Sequence, residues 1–125
     1  MNPMLPWIEH LMQDEGLSYP DVRRMLEGWE PIPYVEGGIH MATLIKRNAE
    51  VHFAAFKQYR GKGYITRTRL RRFLQPILDA EGFLVTKLSP RESDVFVRRL
   101  GFAKIGESAS HRIYMLNEIK LLTGA

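Results

Sequence analysis

The sequence contains no cysteine. Disulfide staples, thiolate nucleophiles and cysteine-ligated zinc or iron–sulfur sites are thereby excluded. It also lacks any apolar run near the roughly 20 residues that a membrane-spanning helix needs. The first residues, Met1 to Pro6 and then Trp7-Ile8-Glu9-His10, have neither the basic head nor the long apolar stretch of a secretory signal. No internal repeat or low-complexity linker interrupts the chain. Two familiar phosphate loops, GxxxxGK[ST] and GxGxxG, are absent, as is a serine-nucleophile elbow. His10, His40, His52 and His111 are scattered without metal-ligand spacing, so no metal is expected. These absences leave a soluble, cytoplasmic protein without a membrane association, folded as one domain over residues 1–125.

What is present supports that reading. A chain of 125 residues buries roughly two-thirds of its extended surface on folding, enough for a real core. Apolar residues at 45% and charged residues at 26% are ordinary for a globular protein and too apolar a mix for disorder. The net charge of +4 conceals two unlike halves. Residues 1–36 hold seven acids against Arg23 and Arg24, a balance of −5, so the rest carries +9. Between Glu50 and Asp79 there is no acid, while Lys57, Arg60, Lys62, Arg67, Arg69, Arg71 and Arg72 all fall there. So dense a cluster faces a phosphate ligand, a nucleic acid or an acidic patch of its own chain, unless it is simply a solvated helix face.

Periodicity supplies the elements. Trp7, Ile8, Leu11 and Met12 have helical spacing from Pro6 to about Gln13, ended by Gly16. Ser18 caps a second helix, with Asp21 three residues on and Pro20 in the first turn. Val22, Met25, Leu26 and Trp29 form its inner stripe, and Trp7, Trp29, Met12 and Met25 read as core. Pro31-Ile-Pro33 ends that helix and extends the chain, and Gly37-Gly38 is a turn. Ile39–Ile45 and Glu50–Phe56 suit a hairpin joined by Lys46–Ala49. Leu70, Phe73, Leu74, Ile77 and Leu78 mark a long helix, about Lys62 to Glu81, capped by Gly82 and kinked or split by Pro76. Phe83–Leu88 is a buried strand. Ser89-Pro90 starts a last helix through Leu100, ended by Gly101, and Phe102–Glu107 and Arg112–Leu116 are two more strands. The fold class is therefore α/β: two N-terminal helices, then a mixed, mostly antiparallel sheet around a central βαβ unit, with helices on both faces.

The segment most suggestive of chemistry lies between the second strand and the long helix. Phe53-Ala54-Ala55-Phe56-Lys57-Gln58-Tyr59-Arg60-Gly61-Lys62-Gly63-Tyr64 runs from strand through a glycine-rich basic turn into helix. Such a turn aims backbone N–H groups at one place, at the positive end of a helix dipole, and so cradles a phosphate or diphosphate. Glycine lets the backbone approach the ligand closely. A plain turn with surface arginines is the simpler alternative.

These residues resemble the acyl-CoA diphosphate loop of the GNAT superfamily of N-acetyltransferases, Gln/Arg-x-x-Gly-x-Gly/Ala. Gln58-Tyr-Arg-Gly61-Lys-Gly63 matches it in full, and a second register, Arg60-Gly-Lys-Gly63-Tyr-Ile65, matches except at Ile65. Phe96-Val-Arg-Arg-Leu-Gly-Phe102 is similar to the family's helix-to-strand ending, F-x-x-x-LGF. The likeness covers about Ile39 to Leu116. Two departures stand out: the family's opening strand is missing or displaced, and the places of its usual helix-start Asn and its Tyr, four residues before the glycine of LGF, hold Pro90 and Val97.

The resemblance implies transfer of an acetyl group from acetyl-CoA to a primary amine of an unknown acceptor. It implies a cofactor site of Phe53, Ala54, Ala55, Phe56, Gln58, Tyr59, Arg60, Gly61, Lys62, Gly63 and Tyr64, with the pantetheine arm lying along Glu50–Phe56 as an extra strand. Glu50 and His52 share one face of that strand and are the candidates for general base, each also readable as surface or packing. Tyr114 and Tyr64 are the remaining donors for the leaving thiolate, though both also read as packing aromatics. Asp14, Glu15 and Asp21 on the acidic helices would favour a cationic acceptor. A catalytically degenerate GNAT-like binding or phage structural module ranks second. Nucleic-acid binding through Arg67–Arg72 ranks third, because Arg67 and Arg71 align apart from Arg69 and Arg72 and few aromatics accompany them. Pairing with a second copy of the chain stays open.

Overall fold

The structure is a computed structural model and describes residues 2–117. Among them it has four α-helices and six strands in one mixed sheet, ordered β1-β2-β3-β4-β6-β5. Two compact units divide the chain: the residues up to Arg47 with Val51–Ile65, and Asn48–Glu50 with the residues from Thr66 onward.

In the first unit, α1 (Leu5–Glu9) carries a proline in its first turn and runs into a π-type turn, His10–Asp14. Among the described residues α1 is the first element, and the first strand, β1, follows α2. The N-terminal segment is tied to the second strand at one buried residue. Thr43 donates its hydroxyl to the Pro3 carbonyl (2.5 Å), and its own carbonyl accepts from the Trp7 indole (2.9 Å). The second helix, α2 (Tyr19–Leu26), is capped as its sequence predicts, with Ser18 Oγ accepting from the Asp21 N–H. Val22 is fully buried. Met25 and Met12 are exposed, 54% and 39%, and do not belong to the core. On α2, Val22 and Leu26 turn inward while Met25 faces out, and Trp29 falls beyond the helix end at Leu26.

The chain from Glu30 to Glu36 forms β1, a strand where the sequence suggests only an extended connection. It pairs antiparallel with β2 (Ile39–Arg47), Glu30 opposite Lys46 and Glu36 opposite Ile39. Pro31 and Pro33 are tolerated because β1 stands at the sheet edge, where a residue without an N–H costs no ladder bond on its outer side. Gly37 and Gly38 turn the hairpin with φ of +57° and +77°. The middle of β2, Met41 to Ile45, is wholly buried. After the Asn48-Ala49 turn, with Asn48 at φ +54°, comes β3 (Glu50–Ala55), the neighbour of β2 in the sheet.

The second unit is built on α3 (Arg67–Glu81), capped by Thr66 and closed by Gly82 at φ +84°. The predicted stripe is the buried one: Leu70, Leu74 and Leu78 are each under 4% exposed. Pro76 lies inside α3 without ending it. Strand β4 (Leu84–Leu88) pairs antiparallel with β6 (Arg112–Leu116), and β6 pairs with β5 (Ala103–Glu107). Parallel pairing of β3 with β4 is registered at Glu50 opposite Val85, which makes β3-α3-β4 the expected βαβ unit. The last helix, α4 (Val95–Leu100), starts six residues after the Ser89 cap that the sequence suggests. Ser89 and Glu92 do satisfy each other, but in an isolated turn: the Ser89 N–H donates to Glu92 Oε2 (2.6 Å) and the Glu92 N–H to the Ser89 carbonyl (3.2 Å). The helix proper begins only after Asp94. Among the described residues no helix is long and apolar enough to cross a membrane.

Candidate active site

The basic turn lies in the first unit and is exposed. From Phe56 the chain makes one 3-10 turn, Lys57–Tyr59, then passes Gly61 and Gly63 at φ of +67° and +76°. Both glycines are required by that left-handed backbone. A Cβ on either would meet no atom within 4 Å, so the space beside the loop is open and crowding is not what selects glycine in the free protein. The ring of Tyr59 packs edge-on against Tyr64, centroids 5.3 Å apart, which braces the two ends of the loop.

The strand leading into the loop is fixed on both sides. Ala54 is buried, and Phe53 stands edge-on to the buried Tyr34 (6.1 Å). The Phe56 N–H donates to the Met41 carbonyl (2.9 Å), and its ring meets His40 (5.3 Å). The Ala55 carbonyl accepts from Arg60 Nε (3.0 Å), which turns the guanidinium back toward the strand. Gln58 and Lys62 are exposed.

Carboxylates from the N-terminal helices meet this loop. Glu9 Oε1 accepts from the Lys57 N–H (2.7 Å), and Asp14 Oδ2 accepts from Arg60 Nη1 (2.8 Å). His10 Nδ1 hydrogen-bonds the same Asp14 oxygen (2.9 Å), and its Nε2 lies 3.7 Å from Glu15. The His10 bond first, then the Arg60 bond, hold the Asp14 carboxyl below the usual carboxylate range. The acidic and basic blocks of the sequence therefore meet in space. Glu9 was not legible as a partner from any local motif; the sequence signal was the segregation of charge itself. Asp14, expected beside an acceptor, is engaged by the loop. Asp21 is held within α2 by Ser18 and Arg24.

The two base candidates have different surroundings. His52 is half-buried and stands edge-on to Trp29 (5.4 Å), whose ring also carries the Arg47 guanidinium at 4.3 Å. Glu50, in the second unit, lies 3.5 Å from Lys87 Nζ.

The tyrosines divide sharply. Tyr114 is completely buried; its hydroxyl donates to Asp94 Oδ2 (2.8 Å) and accepts from Arg112 Nη1 (3.3 Å). A phenol so enclosed is a packing and hydrogen-bonding residue, whereas Tyr64 is 45% exposed on the loop. Val97 is half-buried on α4. Arg71 is not part of a basic surface: it is buried, and its Nη2 donates to the Arg99 carbonyl at the end of α4 (2.6 Å). Burial first, then the charge of Arg67, lowers its pKa. This leaves Arg67, Arg69 and Arg72 without the fourth member that the nucleic-acid reading counts on. Among the described residues no three His, Asp or Glu side chains are placed to hold a metal together.

No protein-family model matches the sequence, and no curated protein matches it. Solved structures do resemble the fold. A ribosomal-protein-alanine N-acetyltransferase from Brucella melitensis superimposes with a TM-score of 0.64 at 12% identity, over 92% of this chain and 91% of that one. An acetyltransferase from Agrobacterium tumefaciens gives 0.63 at 14% identity, over 94% and 86%. A GNAT-family acetyltransferase from Bacillus anthracis gives 0.55 at 12% identity, over 81% and 75%. The chain has the GNAT fold.

Proposed function

We propose that the protein is an acyl-CoA-dependent N-acyltransferase that moves an acetyl group from acetyl-CoA to a primary amine. The observation that carries this reading is the exposed loop Gln58–Tyr64: two left-handed glycines with open space beside them, flanked by Arg60 and Lys62. The donors of this loop already hold anions, the carboxylates of Glu9 and Asp14, which is the chemistry a diphosphate offers. Acetyl-CoA supplies an activated thioester acyl group. Gln58, Tyr59, Arg60, Gly61, Lys62, Gly63 and Tyr64 bind its diphosphate, and Phe53–Phe56 align its pantetheine arm along β3.

The acceptor amine reacts only after losing a proton, because an alkylammonium has a pKa of about 10.4. His52 is the stronger candidate for that proton. It is half-buried and stands edge-on to Trp29, and imidazole is the side chain most often used as a general base. Glu50, 3.5 Å from Lys87 Nζ, is the alternative base and acts directly or through water. Amine nitrogen attacks the thioester carbonyl, the C–S bond breaks, and the departing sulfur takes a proton. Tyr64, exposed on the loop, is the candidate donor of that proton; Tyr114 is enclosed and is not.

A second reading is favoured by one observation: the helix position that bears tyrosine in the family pattern holds Val97, so the fold could serve as a cofactor-binding module without turnover. A kinetic assay separates the two. Thiol release from acetyl-CoA is followed with a panel of primary amines, including peptides with free N-termini and polyamines. Turnover with at least one amine, reduced by more than tenfold in His52→Ala, supports the enzyme. Binding of acetyl-CoA without turnover by any amine supports the module.

A further inference from the structure

We infer that Glu9 and Asp14 form an internal anion latch on the turn from Lys57 to Tyr64, with which the phosphates of an incoming ligand compete. This rests on the reading of that loop as the diphosphate site. The latch spans a long stretch of sequence: Glu9 to Lys57 and Asp14 to Arg60 join positions 48 and 46 apart. Both bonds have the form that a phosphate oxygen would take, a carboxylate oxygen on a backbone N–H and on a guanidinium. Asp14 is ionised at neutral pH, since His10 and Arg60 both stabilise its charged form.

Arg60 spends an Nη1 donor on Asp14 (2.8 Å), and a phosphate approaching that edge competes with the carboxylate for it. Its Nε is already committed to the Ala55 carbonyl, so the guanidinium is oriented and the exchange occurs at one end of it. The pair is partly exposed, with 29% of the Asp14 side chain and 37% of the Arg60 side chain open to solvent. Such pairs are weak, so the latch is displaceable by a dianionic ligand and not a permanent lock. Asp14 released from Arg60 keeps its bond to His10 within the same turn (2.9 Å), so the displaced carboxylate stays partnered. The acidic N-terminal block thus sets anion affinity and keeps the empty loop from holding stray phosphates.

The test is calorimetric titration with coenzyme A and, separately, with inorganic pyrophosphate. Asp14→Asn is expected to bind both ligands about two- to fivefold tighter than the wild type, the scale of an exposed ion pair removed as a competitor. Glu9→Gln is expected to tighten binding in the same direction, which guards against a folding defect peculiar to one variant. In an Arg60→Gln background, Asp14→Asn should have no effect, because the partner that links them is gone. Tightening that persists without Arg60 would overturn the latch. So would unchanged or weaker binding in both single variants while the wild type binds coenzyme A; the diphosphate reading would then survive alone. Failure of the wild type and every variant to bind either ligand would overturn both.

Discussion

Removing the Tyr114 hydroxyl separates two roles that a tyrosine in a suspected acyltransferase is readily given. In Tyr114→Phe the ring and its packing remain, and only the bonds to Asp94 and Arg112 are lost. The side chain is fully buried, so the hydroxyl has no solvent to fall back on. A buried hydroxyl bonded to a charged partner contributes about 1–2 kcal/mol. The partner is not stranded by the change, because Asp94 keeps Arg98 at 2.5 Å and is itself partly solvated. Urea unfolding should therefore show a lower midpoint at unchanged slope, while acetyl transfer, measured well below the transition, keeps its wild-type rate. The pH dependence follows from the same contacts. Arg98 first, then Tyr114, hold the Asp94 carboxyl below its ordinary value. A depressed carboxylate stabilises the fold above its unfolded pKa, and that contribution is lost as pH falls through the folded pKa. The gap between wild type and Tyr114→Phe should thus be full near pH 6 and shrink below about pH 4, the ordinary carboxylate range. A rate loss of tenfold or more with little change in stability would refute the structural assignment and return Tyr114 to the chemistry.

Other perturbations probe the fold around the site. Leu84→Ala, at a position with no exposed surface in β4, should cost about 3–4 kcal/mol by denaturant titration. Thr66→Ala removes the side-chain cap that accepts from the Arg69 N–H at 3.2 Å and should cost about 1 kcal/mol in the same assay. Arg71→Met should be far milder than Arg71→Ala, because Met keeps the packed stem and removes a guanidinium whose buried Nε has no hydrogen-bond partner among the described residues. Equal losses in the two Arg71 variants would contradict that account.

The elements legible in the sequence were those whose signals are local. Ser18 and Asp21 marked the start of α2, Gly82 the end of α3, and the Leu70-Leu74-Leu78 spacing its buried face. The misreadings came where tertiary context overrides local preference. Pro31 and Pro33 argue against a strand in isolation, and only the edge position of β1 admits them. Ser89 and Glu92 make a cap-like exchange that never propagates, because the helix waits for Asp94. Met12 and Met25 fit an apolar stripe by spacing, yet both side chains are exposed, because spacing marks a face without saying what covers it. At the loop, the glycines and basic residues were legible from their order. Their carboxylate partners were not, because Glu9 and Asp14 lie more than forty positions away and only folding brings them there.

The most direct measurement of the central claim is the affinity for acetyl-CoA of the wild type beside Lys62→Glu, a change that reverses charge at an exposed loop position without demanding a new backbone conformation. The account predicts saturable, micromolar binding by the wild type and a loss of at least tenfold in Lys62→Glu, with both proteins equally folded. Absence of wild-type binding, or equal affinity in the two proteins, would contradict the assignment of Gln58–Tyr64 as the cofactor loop.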